Sequence, residues 1–442
     1  MRPVAAALRR RYLLWKGLMN LLFVDVKASL GGHTRTATTI ARAFAERGHE
    51  VAFAVSDAGN NHVIEKGGFQ NHQVKRDWTG RYAGLIPLIR DLHAERPLDV
   101  VHSFEWRGVA EALQAAKALN VPFFQTICGG PGPQDAPLCR SLISLSHEVK
   151  RQVLAVSDFG DDDITVVPAR LDISGLERGA ADPDRAALAA FRAKYRLPEG
   201  SRVLMRIVRH APEYEASLVA GADAALRLRR AGVDVRFVHL GFVAPAGVES
   251  YGRVRRHFAA VNEQAGAEVA VTVQDEALTA LRYLPLADVA LASGRAAFEA
   301  MLYGKPVVIS GVNGFAGRVD PGTVDEIAYY NFSGRNVRTR KDPAASVQEL
   351  AAAVEGLFAD RAAAGEIAAF GRSYVRENLD VRVAVDKYLA RYRAFSPASY
   401  PTDAEISRRL RVKPAVLMKT LVPPQLHPRL SRLRSRTFRR TP

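Results

Sequence analysis

Two cysteines, Cys128 and Cys139, are too few for a disulfide framework in 442 residues, which excludes a disulfide-stapled scaffold and points to a reducing, cytosolic setting. The chain also lacks any run of about 18 uncharged apolar residues, so no membrane-spanning helix is expected. It has no P-loop, no GxGxxG following a strand and no zinc-ligand spacing, and no metal site is expected. The acidic run Asp161-Asp162-Asp163 reads as a solvated turn. With 48% hydrophobic and 24% charged residues, the composition is that of a globular protein rather than a disordered one.

What the chain has in excess is positive charge, and it is unevenly placed. The formal charge is +16, yet residues 1–18 hold five Lys or Arg and no acid, and residues 403–442 hold eleven against two acids. The body between is left at only +2. The high pI therefore belongs to the ends, which argues against a nucleic-acid partner, since that expects a basic face on a folded module. Arg9-Arg10-Arg11 interrupts the apolar start, so an export signal is not expected. Two readings of residues 1–18 fit: a native chain that begins at Met19, or a short amphipathic surface helix with Tyr12, Leu13, Leu14 and Trp15 as its apolar part.

The body alternates strand and helix. Residues 21–26 are an apolar strand, a glycine loop through Gly31-Gly32-His33 follows, Ile40, Ala41, Phe44 and Ala45 mark a helix, and residues 49–55 form the next strand. Residues 97–102, 121–126, 152–157 and 164–168 read as further strands, with a helix over 108–119. The Ala/Asp/Arg-rich stretch 172–201 reads as the connection between domains. A second unit follows, with strands at 203–208, 235–241 and 269–273, and helices over 343–358, 360–377 and 381–395. The expected fold is α/β, with two Rossmann-like doubly wound domains facing a cleft. The expected boundaries are an extension 1–18, an acceptor-side domain 19–185, a donor domain 186–378, a helix crossing back at 379–400 and a basic tail 401–442.

Residues 284–311 hold the chain's most informative stretch. Residues 288–292 are a short apolar strand, Ser293-Gly294 ends it, a helix runs over 295–303, and Gly304 and Pro306 stop that helix before the strand at Val307-Val308-Ile309. A helix that starts directly after a small-residue turn offers free N–H groups to a phosphate. Glu299, one turn further in, can accept hydrogen bonds from sugar hydroxyls. An ordinary packing unit with a solvated Glu fits the same spacing.

Gly31-Gly32-His33, Arg47-Gly48-His49-Glu50-Val51, Asp99-Val100-Val101-His102, and Glu299-Ala300-Met301 through Gly304-Lys305-Pro306-Val307-Val308 occur in the order found in GT-B glycosyltransferases, and the sequence resembles glycosyltransferase family 4 over residues 19–395. The resemblance implies a retaining transfer of a sugar from a nucleoside-diphosphate sugar to a hydroxyl acceptor, with no metal and no cofactor beyond that co-substrate. It places Arg209 at the diphosphate, together with Gly294, Arg295 and Ala296, and Glu299 at the ribose. It places Gly31 and Gly32 close to the donor, with His33 as hydrogen-bond partner or base toward the acceptor, and His102 and Cys128 on the acceptor side. A structural histidine at a helix start fits His33 equally well, and a surface arginine fits Arg209. Two departures stand out: Tyr214 replaces a phosphate-binding lysine, and Leu291 stands eight positions before Glu299, where the family has a second glutamate.

The expected role is synthesis of a surface polysaccharide, lipopolysaccharide or glycolipid by a hexosyltransferase-type enzyme. Its partners would be a nucleotide sugar and a glycan or lipid-linked acceptor, with the basic ends on the inner face of an anionic membrane. Two alternatives remain at this level: a UDP-GlcNAc 2-epimerase-like enzyme, and a catalytically degenerate glycosyltransferase acting as a binding protein.

Overall fold

The computed structural model describes residues 17–26, 32–56, 62–104, 106–129, 137–168, 170–337, 339 and 342–410. The described residues fall into two compact units: Met1–Ser144 with Val153–Thr165 and Lys387–Pro442, and Leu145–Gln152 with Val166–Asp386. The change of unit near residue 166 comes about twenty residues before the expected boundary at 185/186.

The first unit begins with β1 (Asn20–Asp25), α1 (Gly32–Glu46), β2 (Glu50–Ser56), α2 (His62–Lys66) and β3 (Gln70–Val74). It continues with α3 (Leu85–Glu95), β4 (Val100–Phe104), α4 (Val109–Ala118), β5 (Phe123–Ile127) and β6 (Leu142–Ser144). All six residues of β1 are buried, as expected of a strand covered on both faces. Helix α5 (His147–Val156) and strand β7 (Ile164–Val166) follow, so the strand expected over 152–157 is in fact the end of a helix. The sheet order is β3-β2-β1-β4-β5-β6-β7, and β1 is parallel to both β2 and β4. The chain reverses its direction of growth between β1 and β4, which makes the carboxyl ends of those two strands the topological switch point of this sheet.

In the second unit α6 (Ile173–Ala181) and α7 (Arg185–Lys194) occupy the stretch read as an interdomain connection. They belong to this unit because Ile173, Phe191 and Leu197 are buried in its core. Then come β8 (Arg202–Ile207), α8 (Glu215–Arg230), β9 (Val235–Leu240), α9 (Val248–Ala265), β10 (Ala270–Val273), β11 (Val289–Ala292) and α10 (Arg295–Leu302). The unit goes on through β12 (Val307–Gly311), β13 (Gly314–Arg318), α11 (Val324–Tyr329), α12 (Pro343–Ala359) and α13 (Arg361–Asn378). Its sheet order is β10-β9-β8-β11-β12-β13, parallel except for β13, and its switch point lies between β8 and β11. Helix α14 (Val381–Arg393) and α15 (Asp403–Leu410) end the described chain. No helix among the described residues is long and apolar enough to cross a membrane.

The start of α5 is tied into the second unit by a buried ion pair. The Arg335 guanidinium donates to both Glu148 oxygens, at 2.6 Å from Nη2 and 2.8 Å from Nε. Arg335→Met leaves that buried carboxylate uncompensated and is expected to cost about 3 kcal/mol in chemical denaturation; Glu148→Gln in the same chain should recover most of it.

Candidate functional site

In the second unit the candidate site is built on the β11–α10 turn. Only Ser293 and Gly294 separate strand from helix. Gly294 sits at φ 57, ψ −133, a backbone region closed to side-chain-bearing residues, and it is this conformation that turns the chain into the helix. A Cβ placed there would meet nothing within 4 Å, so the cost of Gly294→Ala is one of backbone strain alone. We expect a loss of about 1–3 kcal/mol in thermal unfolding, together with weakened nucleotide binding. The Gly294 N–H is already used, since it donates to the Phe332 carbonyl at 2.7 Å. This corrects the expectation that Gly294 itself faces a phosphate; Arg295 and the half-buried Ala296 supply the first N–H groups of the helix.

Arg295 and Glu299 are brought together. Arg295 Nε donates to Glu299 Oε1 at 2.8 Å and its Nη1 donates to the Arg170 carbonyl at 3.1 Å. Glu299 is buried, and Arg295 supplies the charge that makes its burial tolerable. Arg170 in turn lies over the Phe298 ring at 4.8 Å, which steadies the first turn of α10. Eight positions before Glu299 lies inside β11, where Leu291 is fully buried and pairs in register with Val308. A carboxylate there would enter the core.

Arg209 lies just beyond β8, on the other side of the switch point. Its Nη2 donates to Glu213 at 3.0 Å and its guanidinium stands 5.9 Å from the Tyr214 ring centre. One residue that sequence reasoning missed is Arg206. It is fully buried near the carboxyl end of β8, donates through Nη2 to the Ser310 carbonyl at 3.3 Å, and has no hydrogen-bond partner at Nε or Nη1. Burial pulls its pKa down to about 10. A lone arginine in the apolar run 203–208 was the available signal.

In the first unit, α1 starts at Gly32, and His33 on its first turn places Nε2 3.7 Å from Asp25 Oδ1. Asp25 ends β1, is fully buried, and accepts a hydrogen bond from the Thr34 hydroxyl at 2.9 Å. Sequence reasoning had taken Asp25 as a strand residue; an acid closing a buried apolar run was the signal it passed over. Gly31 lies outside the described residues. Cys128 follows β5, two strands from β1, and is half-buried; neither it nor Cys139 is in a disulfide. Burial pushes the Cys139 thiol up to about 11.

His102 is not an acceptor-side group. It is fully buried, with Nδ1 2.5 Å from the Tyr392 hydroxyl and Nε2 2.7 Å from Thr126 Oγ1, and it stacks on Phe104. Desolvation lowers its pKa to about 3, so it is a neutral core residue.

Residues 31–159 match the family described as Glycosyl transferase 4-like domain. No curated protein matches the chain by sequence. Among solved structures, a glycosyltransferase from Rickettsia africae is 15% identical, with a TM-score of 0.68 over 85% of this chain and 98% of that one. HepE of Anabaena in complex with UDP is 14% identical, with a TM-score of 0.64 over 85% of this chain and 100% of that one. A putative UDP-N-acetylglucosamine 2-epimerase from Listeria monocytogenes is 13% identical, with a TM-score of 0.56 over 85% and 96%.

Proposed function

From a chain that has the GT-B glycosyltransferase fold and resembles family 4, we propose an enzyme that moves a sugar from a nucleoside-diphosphate sugar to a hydroxyl acceptor. The observation that carries this reading is the β11–α10 turn. There a glycine-only conformation opens a helix start, with Arg295 and the acceptor-type carboxylate of Glu299 directly behind it. The Arg295 and Ala296 N–H groups and the helix dipole hold the diphosphate. Glu299 Oε1 stays with Arg295, while its second oxygen takes a ribose hydroxyl. Arg209 adds positive charge once the diphosphate displaces Glu213. The UDP complex of Anabaena HepE supports a uridine donor.

In the retaining course, the C1–O bond to the diphosphate breaks and its electron pair leaves with the phosphate. The bond from C1 to the acceptor oxygen forms on the same face, and the acceptor proton passes to the departing phosphate. No protein nucleophile is needed. His33, whose Nε2 stands 3.7 Å from the Asp25 carboxylate, hydrogen-bonds the reacting hydroxyl. A glycan or lipid-linked acceptor fits a chain whose ends are strongly basic.

A panel of UDP- and GDP-sugars assayed for nucleotide release with and without glycolipid acceptors tests this. Acceptor-dependent release with the donor's anomeric configuration kept in the product supports it, and absence of release from every donor contradicts it. The likeness to the Listeria protein favours one rival, an epimerase. That rival predicts a changed sugar on incubation with nucleotide sugar alone.

A further inference from the structure

Among the described residues, four that carry a side chain have a left-handed backbone: Asn120, Arg196, Asn331 and Phe332. Asn120 and Arg196 stand singly just past the ends of α4 and α7, the usual place for such a residue. Asn331 and Phe332 are consecutive, at φ 57 and φ 54, and they follow α11.

The first of the pair has a local cause. The Asn331 N–H donates to the Ala328 carbonyl at 2.8 Å and the Phe332 N–H donates to the Ile327 carbonyl at 2.9 Å. These are the paired hydrogen bonds with which a left-handed asparagine closes a helix. They ask nothing of φ at Phe332. A bulky aromatic residue in that conformation is strained, and such strain persists where the surroundings fix it.

Those surroundings lead to the donor turn. The Phe332 carbonyl accepts the Gly294 N–H at 2.7 Å, and the buried Phe332 ring meets the Phe298 ring of α10 edge-on, with centres 4.8 Å apart. A Cβ on Gly311, at the end of β12, would meet the Ser333 carbonyl at 2.7 Å, so the strand end presses on the residue that follows Phe332.

Asn331 reaches the same turn through its side chain. Its Oδ1 accepts from Arg170 Nη2 at 2.5 Å, and Arg170 Nη1 donates to the Pro168 carbonyl at 2.6 Å. Arg170 is buried, and these two bonds set where its guanidinium lies over Phe298. The Arg170 carbonyl accepts from Arg295 Nη1, and Arg295 Nε donates to Glu299. Every residue in this chain of contacts belongs to the second unit.

We propose that Asn331 is a positioning residue of the donor site. Through Arg170 it holds the Arg295–Glu299 pair in place, and its left-handed turn presents the Phe332 carbonyl to Gly294, where α10 opens. This role rests on the donor-site reading.

Calorimetric titration of the full chain with UDP tests it. Asn331→Gly keeps the left-handed conformation, which glycine adopts freely, and removes the amide. UDP affinity should fall roughly fivefold or more, as for loss of one hydrogen bond to a charged group. The thermal midpoint should move by no more than about 2 °C, because glycine suits this helix end and offsets the lost bond. Arg170→Met keeps apolar bulk against Phe298 and removes the same bond from its other end. It should weaken UDP binding too, and the double variant should bind no more weakly than Arg170→Met alone. Should Arg170→Met not fold, the Asn331→Gly comparison decides alone. Full UDP affinity in Asn331→Gly, or losses that add in the double variant, would overturn the role of Asn331 and leave the donor site standing. So would an affinity loss accompanied by a fall of many degrees in the thermal midpoint, which would make Asn331 a helix cap only. Absence of UDP and GDP binding by the native chain would overturn the donor site and this role together.

Discussion

His33→Ala is expected to lower turnover by roughly a hundredfold or more, with nucleotide affinity unchanged. The imidazole sits on the first turn of α1 with Nε2 3.7 Å from a carboxylate that ends β1. Asp25 is fully buried, and the Thr34 hydroxyl holds its other oxygen at 2.9 Å, so its position is set by the fold. A buried acid that faces a histidine fixes ring orientation and stabilises the charge that builds on the imidazole as a hydroxyl is polarised. Asp25 acts through His33 and is a positioning residue. Asp25→Asn keeps its shape and removes its charge. It should lower kcat about tenfold or more and leave KM for the nucleotide sugar unmoved. If His33 is only a structural residue at a helix start, kcat and stability will fall together in His33→Ala, and Asp25→Asn will leave kcat unchanged.

The second large effect is acid lability. His102, His210 and His239 are all fully buried. Desolvation pulls their pKa values to about 3, about 4 and about 3. The hydrogen bonds show why the neutral form is held. His239 Nε2 donates to the Val208 carbonyl at 2.7 Å, so its Nδ1 accepts from the Thr272 hydroxyl at 3.0 Å, and Thr272 Oγ1 accepts from His210 Nε2 at 3.1 Å. A second proton on His239 would point into a hydrogen already there. The unfolded chain takes up these protons near pH 6.5 and the folded chain does not. Stability is therefore complete above that pH and falls as the pH drops toward the folded-state values.

Each histidine contributes about 1.4 kcal/mol per pH unit in that window. The second unit holds two of them and the first holds one, to which His49 and His72 add because burial lowers their pKa values as well. His257 works the other way, because its hydrogen bond to Asp223 raises its pKa, but it is part-exposed and offsets only a fraction. Denaturant titrations at pH 7.5 and pH 5.5, resolved for each unit by site-specific probes, give the comparison. Undiminished stability of either unit at pH 5.5 would contradict the assignment.

Much of the fold was legible because its strands are continuous apolar runs and its helices end at glycine. The elements of residues 284–311 stand where their spacing placed them. Residues 152–157 misled because Val153-Leu154-Ala155-Val156 suits either period over so short a run. In the structure only Val153 of the four is buried, on a helix that the sheet does not include. Residues 172–201 looked like a connection because they are rich in Ala, Asp and Arg, yet Phe191 is enough to seat α7 in the core. Strand β13 passed unnoticed, since Gly314-Phe-Ala-Gly-Arg carries little strand propensity.

The site was half legible. Glycine turns and the Glu299 spacing can be seen along a chain, whereas His102 cannot be judged without Tyr392, which lies 290 residues away. Asp25 and Arg206 each interrupt an apolar run by a single charge. What makes them informative is their complete burial at the carboxyl ends of switch-point strands, which no local pattern states.

Calorimetric titration of the intact protein with UDP, beside Glu299→Gln, tests the donor assignment most directly. The account predicts one site per chain of micromolar order in the native protein and binding weakened at least tenfold in the variant. Heats indistinguishable from dilution with UDP and with GDP, or full affinity in Glu299→Gln, would contradict it.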